Sequence, residues 1–238
     1  MYRIIVAIDG FSSCGKSTTA RKVAENLGYA YVDTGAMYRA VTLYFVQNHV
    51  TPTNPRELAE ALAGISITFR RNPHNQANET FLNGLNVEAE IRKMYISEKV
   101  SQVSAIPEVR KAMVAQQQLM GREKGLVMDG RDIGSVVFPK AELKVFMTAD
   151  PLIRAQRRQA ELLTKGEMVE LQEIVENLQK RDFLDTTRKE SPLVRAEDAI
   201  LLDNSFLTFE EQVDLITGWA DTRIARLGRL EEIHRRNL

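Results

Sequence analysis

The chain has 238 residues, 44% hydrophobic and 27% charged, enough to bury a core as one domain or one domain with inserts. Lys and Arg number 32 against 32 Asp and Glu, and this zero balance gives no reason to expect binding to nucleic acid or to a membrane surface. The single cysteine, Cys14, excludes an internal disulfide and suits a reducing cytosol, and neither a signal peptide nor a membrane-spanning stretch is expected.

The apolar run 4–8 reads as a buried strand and residues 18–27 as a helix. Between them Gly10, Phe11, Ser12, Ser13, Cys14, Gly15, Lys16 and Ser17 fit G-x-x-x-x-G-K-[ST], the phosphate-binding loop, in the strand–loop–helix setting it requires. Glycines let successive N–H groups turn inward on an anion, and the helix adds its positive end. Lys16 is expected on the β- and γ-phosphates and the Ser17 hydroxyl on Mg²⁺.

Residues 30–32 form a second short strand ending at Asp33, and a helix is expected over 35–48. Thr34 and Arg39, one turn apart, suit an anion at that helix start, although Asp33 or Thr34 serves equally well as a simple cap. Pro52 and Pro55 break the pattern. Residues 65–70 and 79–82 then alternate with period two, and Asn83-Gly84 supplies a hairpin turn before 85–87. This reads as a small antiparallel sheet within an insert over about 54–104, followed by helices over 94–104 and 107–123.

Strand patterns return at 126–128, 143–147 and 199–203, with helices between them, so a parallel sheet covered by helices is expected. The first of these strands ends in Asp129-Gly130-Arg131-Asp132-Ile133-Gly134. An acidic residue there can position Mg²⁺ and its waters, the expectation for Asp129. Arg154, Arg157 and Arg158, then Arg181, Asp182, Asp185 and Arg188, lie on two helical stretches separated at Gly166. They read either as a solvated charged face or as arginines brought over a triphosphate. His49, His74 and His234 have no metal-ligand spacing and are expected at the surface.

Together, the loop, the Asp33-to-Arg39 segment, the 102–110 stretch with Pro107-Glu108-Val109-Arg110, the Asp129-to-Gly134 segment and the Arg181…Asp185…Arg188 set resemble bacterial cytidylate kinases, in the same order and to about residue 220. The resemblance implies an α/β fold: a P-loop NTPase-like parallel sheet core with helices on both faces (1–53, 105–150 and 190–238), an inserted antiparallel and helical NMP-binding unit (54–104) and a helical LID (151–189). It implies transfer of the γ-phosphoryl group of ATP to CMP or dCMP with Mg²⁺, by a cytoplasmic monomer. It assigns ATP to Gly10 through Ser17 and Thr18, the cytosine edge to Ser101, Arg110 and Asp132, the acceptor phosphate to Thr34, Arg39, Arg131 and Arg188, and the sugar to Arg181 and Asp185. Lys16, Asp129, Arg131, Arg158 and Arg188 are the expected catalytic groups, with the insert and helical pair closing on substrates. Phe11 and Ser13 stand where many relatives have Pro and Gly, and Thr34 where Ser is usual. The alternative is a P-loop kinase for another small acceptor, such as UMP or shikimate.

Overall fold

The computed structural model describes residues 2–73, 78–164 and 166–236. They group into two compact units: Met1–Tyr31, Gly121–Thr187 and Pro192–Leu238 in the first, Val32–Met120 and Arg188–Ser191 in the second. The boundary falls within β2 (Ala30–Asp33).

The first unit is organised by β1 (Ile5–Gly10), every residue of which is buried. It lies parallel to β6 (Leu126–Gly130) on one side and to β7 (Leu143–Thr148) on the other, and β7 pairs in parallel with β8 (Ile200–Asp203). The five-stranded order is β2-β6-β1-β7-β8. Helix α1 (Lys16–Leu27) buries Lys16, Thr19, Ala20, Val23 and Ala24, the three- and four-residue spacing of one helical face. That face joins the sheet residues Val6, Ile8 and Val145 in one core cluster, which Val213, Ile216 and Ala220 of α8 (Phe209–Arg236) complete. Helices α6 (Pro151–Thr164) and α7 (Leu171–Thr187) pack on each other through Ala155, Leu162, Ile174 and Leu178. Gly166 adopts φ +78° in the turn after α6, where a side chain would be strained.

In the second unit, α2 (Thr34–Gln47), α3 (Pro55–Ala63), α4 (Met94–Ser104) and α5 (Pro107–Met120) accompany the antiparallel sheet β3-β4-β5 (Ile67–Arg71, Asn78–Leu82, Leu85–Asn86). The hairpin forms at the expected dipeptide: Asn83 and Gly84 both have positive φ, and the Asn83 side chain accepts from Ser66 N and donates to Gly64 O at 2.8 Å each.

Several elements depart from expectation. Helix α5 ends at Met120 rather than 123. Pro55 starts α3 instead of only breaking the chain, because Asn54 accepts from Arg56 N and Glu57 N and proline at the first helical position lacks only a donor that would be orphaned anyway. The charged tail beyond residue 223 continues α8 to Arg236. His49 is exposed, while His74 and the side chain of His234 lie outside the described residues. No helix among the described residues is long and apolar enough to cross a membrane.

Gly10 is where the sheet tolerates no side chain. Its φ is +148°, and a Cβ there would sit 2.0 Å from the Met147 carbonyl oxygen of β7. Gly10→Ala is expected to destabilise the protein by more than about 3 kcal/mol, read as a lowered urea midpoint.

Candidate active site

The loop between β1 and α1 is shaped by backbone geometry. Ser13 (φ +58°) and Gly15 (φ +84°) both take the left-handed conformation, and no side chain caps α1. The first N–H groups of α1 are therefore not consumed by a local acceptor, the arrangement that recruits an anion. Ser13 adopts this conformation with a side chain, where glycine would do so without strain. Phe11 packs edge-on to Phe146 at 5.8 Å between centroids, with the Arg154 guanidinium 5.2 Å over its ring. Asn204, fully buried after β8, donates to Cys14 O at 2.8 Å and to Gln212. Lys16 is buried, with its ammonium on the Phe11 carbonyl and 3.7 Å from Cys14 Sγ. Burial lowers its pKa; nearby Arg131 acts in the same direction, and Asp129 and Asp185 oppose.

Asp129 ends β6 as expected, and its carboxylate is held on both oxygens: Ser17 Oγ donates to Oδ2 and Tyr31 OH to Oδ1, each at 2.8 Å. A hydroxyl and a carboxylate side by side are hard oxygen donors that fit Mg²⁺, which takes few protein ligands and fills its remaining positions with phosphate and water. No group of three or more His, Cys, Asp and Glu that could hold a metal ion occurs among the described residues.

Arg131 donates to Asp185 Oδ2 at 2.7 Å and to Ser12 Oγ at 2.8 Å, tying α7 to the loop. Burial works against its charge, but Asp185 outweighs that and raises its pKa. Asp132 is buried just beyond. Its following N–H groups, those of Ile133 and Gly134, each donate at 2.7 Å to the buried Asp9 carboxylate. Burial pushes Asp9 up to about 7 against those two hydrogen bonds.

The arginines of the helical pair divide. Arg154 donates to Asp182 at 2.6 Å and to Ser12 O at 3.2 Å. Arg157 clasps Asn204 through its side-chain and backbone oxygens, at 3.0 and 2.7 Å. Arg158 pairs with Glu161 at 2.7 Å on the more exposed side of α6, and Arg181 is half-buried on α7. The sequence reading thus grouped three arginines of which two brace the loop region.

In the second unit Asp33, one of the two residues expected to cap the helix, does so. Its Oδ1 caps α2 at Ala36 N (2.9 Å), while Oδ2 receives Arg39 at 3.1 Å and Arg92 at 3.0 Å. Arg92 also pairs with Glu88 at 2.7 Å. Thr34 is buried as the first residue of α2. Arg110 is buried on α5, 5.2 Å over the Tyr38 ring and donating to Ser104 O at 3.2 Å; Ser101 lies half-buried on α4. Arg188 donates to Ser191 O at 2.8 Å. Sequence reading missed Asp9, Tyr31, Arg92 and Asn204. Only Asp9 carried a signal, a carboxylate ending an otherwise apolar strand.

Burial alone would raise the Asp33 pKa, but Arg39 and then Arg92 outweigh it and hold the carboxyl down at about 2. An unfolded aspartate titrates near ~3.9, so the ion pairs stabilise the fold above that pH and cease to do so as pH falls toward the folded value. Asp33→Asn keeps the cap and loses the charge. We expect it to be less stable by about 2 kcal/mol at neutral pH, with the gap narrowing below about pH 4 in urea titrations.

Comparison with known proteins agrees with the sequence motifs. The family model described as cytidylate kinase matches residues 6–222. A protein named cytidylate kinase from Cytophaga hutchinsonii is 58% identical over 227 residues, 95% of this chain and 97% of that protein. One from Bacteroides thetaiotaomicron is 56% identical over 220 residues, 91% of this chain and 96% of that one. A solved structure of an uncharacterised protein from Eubacterium ventriosum shares the fold at 12% identity, with a TM-score of 0.50 over 93% of this chain and 99% of that one. The chain belongs to the cytidylate kinase family.

Proposed function

We propose that the protein transfers the γ-phosphoryl group of ATP to CMP, and to dCMP, giving ADP and CDP or dCDP. The observation that carries this reading is the family match over residues 6–222, which spans the phosphate-binding loop and every acceptor motif after it. Gly10 through Thr18 bind the ATP phosphates, with the α1 N–H groups and Lys16 on the transferred group. Ser17, backed by Asp129, is the residue that would hold Mg²⁺, which when bound neutralises charge between the β- and γ-oxygens. Thr34, Arg39, Arg131 and Arg188 hold the acceptor phosphate, and Arg181 and Asp185 the sugar.

Transfer is in-line and needs no covalent enzyme intermediate. The phosphate oxygen of a nucleoside monophosphate is already largely ionised at neutral pH, so the protein supplies alignment and positive charge rather than a strong base. Arg131 and Arg188, with Arg158 from the helical pair, supply that charge. Ser101, Arg110 and Asp132 read the base. Cytosine presents an amino donor beside N3 and O2 acceptors, which suit a carboxylate and a guanidinium respectively. Uracil replaces the donor by a carbonyl and leaves the carboxylate unmatched, a mismatch that buried hydrogen-bonding sites reject strongly. The single cysteine supports action in the cytoplasm, and size-exclusion chromatography would test the monomer.

A coupled ADP-release assay across CMP, dCMP, UMP and shikimate should show turnover confined largely to the cytosine nucleotides; equal turnover of CMP and UMP would remove the base-reading roles. Lys16→Ala is expected to lower kcat on the order of 100-fold or more, and unchanged activity would remove the loop from the mechanism. Arg110→Met and Asp132→Ala should lower kcat/KM for CMP by about 100-fold while leaving the KM for ATP within about twofold. Loss of ATP binding instead would move both residues out of the acceptor subsite.

A further inference from the structure

Asp9 grips the chain on both sides of the proposed base-reading carboxylate, Asp132. Its backbone pairs with Gly130 in the β1–β6 register. Its side chain then takes the N–H of Ile133 on Oδ1 and the N–H of Gly134 on Oδ2, both at 2.7 Å. Between these anchors lie only Arg131 and Asp132. The carbonyls of Asp132 and Ile133 are committed to the turn that follows, accepting from Val136, Val137 and Phe138 at 2.7 to 3.1 Å. The N–H groups at the start of such a turn have no intrahelical acceptor, and the Asp9 carboxylate meets two of them with charge-assisted bonds. Gly134 permits the approach, since a Cβ there would lie 3.4 Å from Asp9 Oδ2 and 3.1 Å from Lys144 Cδ. Asp9 also immediately precedes Gly10.

We infer that Asp9 is a positioning residue for acceptor selectivity: its bidentate grip on Ile133 and Gly134 fixes the backbone that aims Asp132 at the cytosine amino group. This rests on the reading of Asp132 as the reader of that group. Only a carboxylate serves, because asparagine offers one acceptor and would turn an amide donor onto the other N–H.

The test is the ratio of kcat/KM for CMP to that for UMP, with the KM for ATP and the melting temperature measured on the same samples. In Asp9→Asn the ratio is expected to fall about tenfold or more, through a raised KM for CMP, with the KM for ATP within about twofold. A merely structural role would lower stability and kcat for both acceptors and leave the ratio intact, and that result overturns the inference. If Asp9→Asn does not fold, Asp9→Ser removes the paired acceptor without adding an amide, and an unchanged ratio there overturns it equally. A wild-type protein with no preference for CMP removes the Asp132 reading, and the inference with it. A preference that survives Asp9→Asn removes the inference alone.

Discussion

Burying ionisable side chains is the constraint on which the rest of this structure depends. Asp9, Lys16, Asp33, Arg110, Asp129, Asp132, Arg154 and Asp185 are all buried. An ion removed from water without partners is disfavoured by several kcal/mol, so each must be held by opposite charge, by backbone dipoles or by both. Asp33 holds two guanidiniums and a helix N-terminus. Arg154 is satisfied by Asp182 and by carbonyls of Ser12 and Ala149. The partners fix side-chain direction as they offset desolvation, which is the preorganisation that electrostatic catalysis requires.

These partnerships differ in what they allow. Arg154 and Arg157 are engaged with backbone carbonyls of the loop region and of Asn204, and Arg154 also with the Asp182 carboxylate. Arg131 is held by the Asp185 carboxylate, the Ser12 hydroxyl and the Gly130 carbonyl. A phosphate competes with such groups directly, because a guanidinium's five donors can be shared between two anions. Lys16 rests on a neutral carbonyl, a weaker partner than a triphosphate, and its lowered pKa reflects a charge short of compensation.

These partnerships mark where the sequence ceased to be informative. The loop, the Asn83-Gly84 hairpin and the acidic ends of β2 and β6 follow local rules: glycine for positive φ, alternation for strands, polar residues at strand ends. They were legible because each is specified within a few residues. Helix α3 was missed because Pro55 reads as a breaker until Asn54 is seen capping the same turn. Asp9 with Gly134, Tyr31 with Asp129, and Asn204 with Cys14 are separated by 125, 98 and 190 residues, and no spacing pattern signals such pairs. Arginines posed a related difficulty. Charge spacing on α6 was visible, but whether a guanidinium turns to a carbonyl or to solvent depends on elements that pack against it later in the chain.

Capping and ion pairing at Asp33 are therefore one arrangement. A carboxylate at the start of α2 is stabilised by the helix dipole, and the same charge draws Arg39 from one turn on and Arg92 from the segment before α4. Both guanidiniums then lie against an oxygen whose companion is fixed on Ala36 N. Glu88 pairs with Arg92 from its far side, so two carboxylates meet two guanidiniums in the Asp33–Arg39–Arg92–Glu88 cluster. Capping supplies the geometry, and the two guanidiniums offset the charge that burial leaves on Asp33.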